Sequence, residues 1–451
     1  MQAKTLMAAL ALVFVTGAVM ARATPGQVAR LGKDLTPVGA PMAGSADGLI
    51  PAWTGGLTKV PAGFNAAKGY VDPYAGEKPL FTITADNVAQ YRDKLSPGQL
   101  AMFKKYPKTF TMHIYPSHRS AAMPDAQYTN IKKYAGSAEL APGGDGVTGA
   151  GESTVPFPFP TKGEEVLWNH VMRWTGGSFT RDYSWYVVQP SGKDFRVAVT
   201  DKWAAERLGY LDQKRPNINI DFIAYYREPA TLQGTIYLIW DTLDQSKEPR
   251  HSWLYNAGQR RVRRVPDLCC DYTADGTEGL RLTDQYDGWN GTTERYDWKL
   301  LGKKEMYIPY DNYKLTDKSL KPGDVLTPGH VNPDLIRYEL HRVWVVEGKL
   351  KPNARHLYYR RVMYFDEDTF QLAAADIYDA HNQLWRTQET YAMQYYDAKV
   401  PGYAGISFND LNSGAYILDD VTFEEKRPEV FGNKFRLIDF QPDALRRMGG
   451  N

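Results

Sequence analysis

Few residues in this chain combine a reactive type with a spacing that chemistry could use. In Trp168-Asn-His170 the imidazole of His170 could act as a general base. Its neighbours Val166, Leu167, Val171 and Trp174 recur at three- and four-residue intervals, which puts His170 on an apolar helix face. A hydrogen-bonded core histidine is the plainer reading there. His341 opens a strand-like run and His356 closes a hairpin loop, so both read as structural or solvent-facing. Asp366-Glu-Asp368 offers clustered carboxylates to calcium. The loop is too short for an EF-hand and lacks its glycine, so a solvated hairpin turn is expected. Cys269 and Cys270 are the only 2 cysteines. Side by side on a strand they read as small buried residues; a vicinal disulfide is the sharper alternative. Metal binding by them is weaker still, because no histidine lies at ligand spacing.

The motif search is otherwise negative. The chain has no Gly-x-Ser-x-Gly elbow, no His-Glu-x-x-His, no Walker loop and no dinucleotide fingerprint. Pro142-Gly-Gly-Asp-Gly146 is a flexible connector, since neither Lys-Ser nor Lys-Thr follows it and no strand precedes it. No catalytic residue, metal or cofactor is therefore expected. An exported hydrolase centred on His170 is the alternative, because a triad can assemble from distant residues.

Aromatic residues are what the chain has in excess: 13% of the total, with 30 Tyr and 11 Trp. Tyr237, Trp240, Trp253, Trp344, Tyr364 and Trp385 lie within strand-like runs and are the candidates to line an apolar cavity. The competing reading is that they fill an ordinary core. Arg260, Arg261, Arg263 and Arg264 cluster on one strand, with Arg261 and Arg263 on one face and Arg260 and Arg264 on the other. Such a rim could meet an anionic lipid headgroup or an acidic partner; a charged edge that blocks aggregation is the alternative. The net charge of +2 excludes a strongly basic nucleic-acid surface, so no nucleic-acid partner is expected.

The elements that must position these residues are mostly strands. Runs at 235–240, 252–255, 260–265, 305–308, 341–346, 358–365, 370–378 and 383–386 are aromatic or β-branched and bounded by Asn, Asp and Gly. That is the pattern of an antiparallel meander. One helix is expected over 163–174. A rigid strap is expected at Val155-Pro-Phe-Pro-Phe-Pro160, where each proline forces an extended chain. Residues 24–160 read as an N-terminal arm with short helices and loops, residues 161–425 as the sheet domain, and 426–451 as a charged tail. Ser96-Pro97 is a helix start, with serine as cap and proline at the first position. Residues 1–23 read as an export signal: Lys4, an apolar stretch over 6–19, and Ala21-Arg-Ala23 as the cleavage site.

Several long motifs carry a resemblance. They are Leu35-Thr-Pro-Val-Gly-Ala40, Asp47-Gly-Leu-Ile-Pro-Ala-Trp-Thr-Gly-Gly56, Pro156-Phe-Pro-Phe-Pro160, Trp168-Asn-His170, Lys247-Glu-Pro-Arg250, Asp297-Trp-Lys299 and Arg337-Tyr-Glu-Leu-His-Arg-Val-Trp-Val-Val-Glu347. Together they resemble a family of Gram-negative envelope proteins known only as a domain of unknown function, across nearly the whole chain after the signal. In pattern, the second half also resembles the LolA/LolB-like lipoprotein-sorting proteins of the outer membrane. The resemblance implies a mainly β (α+β) fold: a curved antiparallel half-barrel with covering helices. It also implies a periplasmic binder or carrier of a lipid-like hydrophobic molecule, near the outer membrane. Its implied partners are a resistance-nodulation-division-type exporter and an outer-membrane barrel, and a scaffold subunit of such a complex is a further alternative. Cys269-Cys270 and Asn382 depart from the family pattern, the latter at a turn where glycine is usual; asparagine tolerates the left-handed conformation needed there.

Overall fold

The computed structural model describes residues 23–266 and 268–449. The export signal lies, but for Ala23, outside them. The fold is mainly β, as the resemblance implies: one large, curved, unclosed antiparallel sheet with a few short helices laid on it. No helix among the described residues is long and apolar enough to cross a membrane.

Two meanders build the sheet. The first runs through Ser178–Val188, Asp194–Ala205, Ile218–Glu228, Ile236–Thr242, His251–Asn256 and Arg261–Arg264, each antiparallel to the one before. The second runs through Tyr296–Pro309, Tyr338–Leu350, Arg360–Asp366, Leu372–Tyr378, Leu384–Tyr395, Val400–Asp410 and Tyr416–Val421. The meanders become one sheet where Tyr416–Val421 pairs with Ser178–Val188, Tyr416 opposite Val188 and Leu418 opposite Tyr186. Asn382 makes the turn before Leu384 with φ +58, the left-handed conformation expected of it.

Successive residues of a strand face opposite sides. Ile236–Thr242 sends Tyr237 into a cluster with Tyr183, Trp203, Phe222, Tyr226 and Leu254. Ile236 and Leu238 face the other way, against Ile223, Tyr255, Phe440 and Leu445. The C-terminal helix Pro442–Gly449 supplies that second cover. Both faces are buried, so the strands read as nearly continuous apolar runs.

The N-terminal segment and the central helix cover the second meander. Helix Pro97–Lys105 starts as its sequence predicts: Ser96 Oγ accepts from Gln99 N at 3.1 Å, and Gln99 Oε1 accepts from Ser96 N at 2.9 Å. It lies on Leu372–Tyr378 and Leu384–Tyr395 and buries Met102 and Phe103. Helix Gly163–Met172 lies on Tyr296–Pro309 and Tyr338–Leu350. Three consecutive residues of that helix stitch it to four other segments. Trp168 Nε1 donates to Gly144 O at 2.9 Å. Asn169 clamps the proline strap, accepting from Phe157 N at 2.9 Å and donating to Phe157 O at 2.7 Å. His170 bonds backbone of the 287 and 370–372 segments.

Candidate functional site

Under the loop that links the two meanders lies a cavity of about 90 Å³. Its floor is aromatic. Phe222, Ala224 and Tyr226 come from alternate positions of one strand, Trp203 and Tyr237 from its two neighbours, and Tyr183 from the strand beyond Trp203. The two-residue spacing puts the first three on one face. Its roof is Leu268, Tyr272, Ala274 and Tyr286 from the linking loop.

Polar pins hold that loop on the sheet. Trp185 Nε1 donates to Gly276 O at 2.8 Å, and Tyr237 O–H donates to Asp275 Oδ2 at 2.5 Å. Asn290 Nδ2 donates to Asp241 Oδ2 at 3.0 Å. Gly276 has φ +71, and a Cβ there would lie 2.9 Å from Val197 Cγ2, so both its backbone and the space require glycine.

Charge sits at the edges of this apolar space. Arg250, which lines the cavity, pairs with Asp241 and donates to Asn290 O at 2.9 Å. Arg281, also lining it, lies 3.1 Å from Asp419. Beside the cavity, on the same face of the sheet, Arg181 lies 3.2 Å from Asp201 and 2.7 Å from Asp420, and Tyr403 O–H donates to Asp420 Oδ2 at 3.1 Å. Burial pushes Asp201 and Asp419 up to about 7, against the opposing pull of Arg181 and Arg281. An apolar chamber edged by paired guanidinium and carboxylate groups suits a molecule with an apolar body and a polar end.

The residues singled out from sequence do not share one cavity. Tyr237 lines it. Trp240 and Trp253 face the opposite side of the same strands, their rings 4.3 Å apart, with Trp240 Nε1 donating to Phe440 O at 2.9 Å. Trp344 lies under Lys303 Nζ, 4.2 Å from its ring centre. Tyr364 donates to Asp376 Oδ2 at 3.0 Å, and Trp385 Nε1 donates to Asp410 Oδ2 at 2.8 Å. Alternation explains the dispersal: neighbouring strands offered tryptophan at odd and even positions, and the sequence does not say which parity faces the ligand.

Arg261, Arg263 and Arg264 form the edge strand that ends the sheet, while Arg260 sits in the preceding turn with φ +52. Arg263 pairs with Leu254 and so shares the cavity face; Arg264 pairs with Trp253 on the other face and donates to His251 Nδ1 at 2.7 Å. Cys269 and Cys270 are free thiols in the linking loop, which corrects their expected place on a strand. The Cys270 hydrogen bond, with help from Arg295 and Arg250, brings Cys269 down to about 7.

His170 is fully buried, and both ring nitrogens face backbone: Nε2 lies 3.0 Å from Asp287 O, and Nδ1 accepts from Leu372 N at 3.2 Å. Burial brings it down to about 3, so it is a neutral cross-link. Asp366-Glu-Asp368 is not the solvated turn expected: all three side chains are buried, because the N-terminal arm lies over the turn with Arg119 on Asp368.

The cavity residues that sequence reasoning passed over are Tyr183, Trp203, Phe222, Tyr226, Arg250, Arg281 and Tyr286. Aromatics at even spacing along one strand, Tyr183 two residues from Trp185 and Phe222 four residues from Tyr226, carried a signal for three of them. The loop residues Arg281 and Tyr286 carried none, because the linking loop has no period.

Comparison with known proteins places the chain. The model of the protein family of unknown function DUF1329 matches residues 82–446. An uncharacterised protein of Pseudomonas aeruginosa is 46% identical over 445 residues, covering 98% of this chain and 97% of its own length. Among solved structures, a DUF1329 family protein of Desulfovibrio piger covers 60% of this chain and 92% of its own, at 14% identity and TM-score 0.41. A LolA superfamily protein of Nitrosomonas europaea covers 63% of this chain and 100% of its own, at 13% identity and TM-score 0.39. The chain belongs to the DUF1329 family.

Proposed function

We propose that this member of the DUF1329 family is a non-enzymatic binder or carrier of an amphipathic, lipid-like molecule in the periplasm. The observation that carries the reading is the aromatic cavity with Arg250 and Arg281 at its edge. The apolar body of the ligand lies on Phe222, Tyr226 and Tyr237, and its polar end turns toward the arginines. At about 90 Å³ the cavity is smaller than the ~150 Å³ that holds a benzene ring, so an acyl chain fits only when the linking loop lifts from the sheet. The exposed Arg261 and Arg263, at the sheet edge, are the proposed contacts for an anionic headgroup or an acidic partner. An exporter of the resistance-nodulation-division type or an outer-membrane barrel is the proposed place of delivery.

The test is uptake of a fluorescent naphthylamine probe by the purified protein, alongside native mass spectrometry for co-purified lipid. Ala224→Trp, which fills the chamber, is expected to lower probe affinity at least tenfold with the fold intact by circular dichroism. Unchanged affinity in that variant would overturn the reading.

A further inference from the structure

We propose that His341, Asp366 and Asp368 form a divalent-cation site of the borderline transition-metal class, zinc before manganese, beneath the N-terminal arm. One nitrogen and two carboxylate donors come within 4.8 Å of one another there, and all three residues are buried. Side-chain rotation closes that spread to the ~3.3 Å edge of a zinc tetrahedron with ~2.0 Å bonds. A donor set containing imidazole favours zinc or manganese over calcium or magnesium, which prefer oxygen alone.

Independent observations point to a ligand. Asp366 is 2% exposed, yet its Oδ1 has no hydrogen-bond partner. Asp366 also lines a small void with Ser120, Tyr310 and Gln371. A buried carboxylate oxygen left bare is costly unless something fills it.

The surroundings have the build of a metal site. Glu339 Oε2 lies 3.2 Å from His341 Nε2, the carboxylate–imidazole pairing that fixes a ring and raises the basicity of its other nitrogen. Tyr310 stacks on the imidazole at 3.9 Å. Local charge leaves room for a cation at Asp366. Among the described residues Arg119, Lys303, Arg337 and Arg342 pair with Glu339, Glu367 and Asp368, Arg337 being shared with Glu77, and no ion pair reaches Asp366. Arg119 donates to both oxygens of Asp368, at 2.7 and 2.6 Å. Each oxygen keeps a lone pair for the ion, and Arg119 becomes the link from the metal to the arm.

The test is equilibrium dialysis of the chelator-treated full-length chain against zinc, manganese, calcium and magnesium separately, read by elemental analysis and by thermal unfolding. The expected result is one zinc per chain, a rise in melting temperature with zinc, and weak or no uptake of calcium and magnesium. His341→Gln and Asp366→Asn are each expected to weaken zinc binding at least tenfold. His113→Gln, at a partly exposed histidine–carboxylate pair, is expected to leave it unchanged. Asp366→Asn is nearly isosteric at an oxygen with no partner, so it remains informative if the histidine variant fails to fold. No zinc uptake by the wild type, or uptake undiminished by Asp366→Asn, would overturn the site.

Discussion

Glu389 is a buried carboxyl group whose hydrogen-bond partners carry no charge. Gln99 Nε2 and Tyr338 O–H each donate to it at 2.8 Å, yet burial still pushes it up to about 7. The direction decides the pH dependence. A carboxyl group whose folded value is raised contributes stability that is complete below its unfolded value of ~4.3 and is lost as pH rises through the folded value. Other buried acids move with it, Asp376 among them, pushed up to about 6 by burial. The informative quantity is therefore the difference between wild type and Glu389→Gln, in which the other groups cancel. Urea unfolding at pH 4.5 and pH 8 should show the wild type losing on the order of 3 kcal/mol relative to the variant over that interval. A pH-independent difference would mean that Glu389 stays charged in the fold.

At the scale of elements, helix Pro97–Lys105 inverts a usual rule. Replacing a helical glycine by alanine ordinarily stabilises by about 1 kcal/mol. Gly98, in the first turn, faces the sheet so closely that a Cβ would lie 2.2 Å from Thr387 Oγ1 and 2.3 Å from Asp376 Oδ1. Gly98 N also donates to Asp376 Oδ1 at 2.8 Å, so the helix cannot back away without losing that bond. Gly98→Ala should therefore destabilise by about 1–3 kcal/mol in chemical denaturation, and a variant as stable as wild type would refute the close approach. Ser96 and Pro97 announced this helix start in the sequence, because capping is local. The strands were legible for the same reason: aromatic runs and Asn/Asp turns are short-range signals. The pairing of Tyr416–Val421 with Ser178–Val188 was not, since its partners lie more than two hundred residues apart and leave no local mark. Of the residues singled out from sequence, only Tyr237 lines the cavity. Trp240 and Trp253 have the composition of a binding wall, but strand parity turns them toward the C-terminal helix. The buried carboxylates of Asp366-Glu-Asp368 looked solvated because the covering arm is remote in sequence.

For the whole molecule, that long-range pairing makes the two meanders one cooperative body. The joint is more than backbone hydrogen bonds. Arg181 of the first meander is paired with Asp420 of the second at 2.7 Å, and Arg281 of the linking loop lies 3.1 Å from Asp419. Tyr186 and Val188 pack in one apolar cluster with Tyr416, Leu418 and Val421. Opening the joint would therefore expose apolar surface and break two buried ion pairs, which disfavours a state with one meander folded and the other not. Tryptophan fluorescence and far-ultraviolet circular dichroism should accordingly report a single, coincident unfolding transition. Asp420→Ala leaves Arg181 without its shorter carboxylate contact in a buried place, and is expected to cost about 3–5 kcal/mol. If the meanders are one body, that loss shifts the single transition to lower denaturant without splitting it. Two resolved transitions in the wild type would show the halves to be independent, and the cavity would then belong to the first meander and its loop alone.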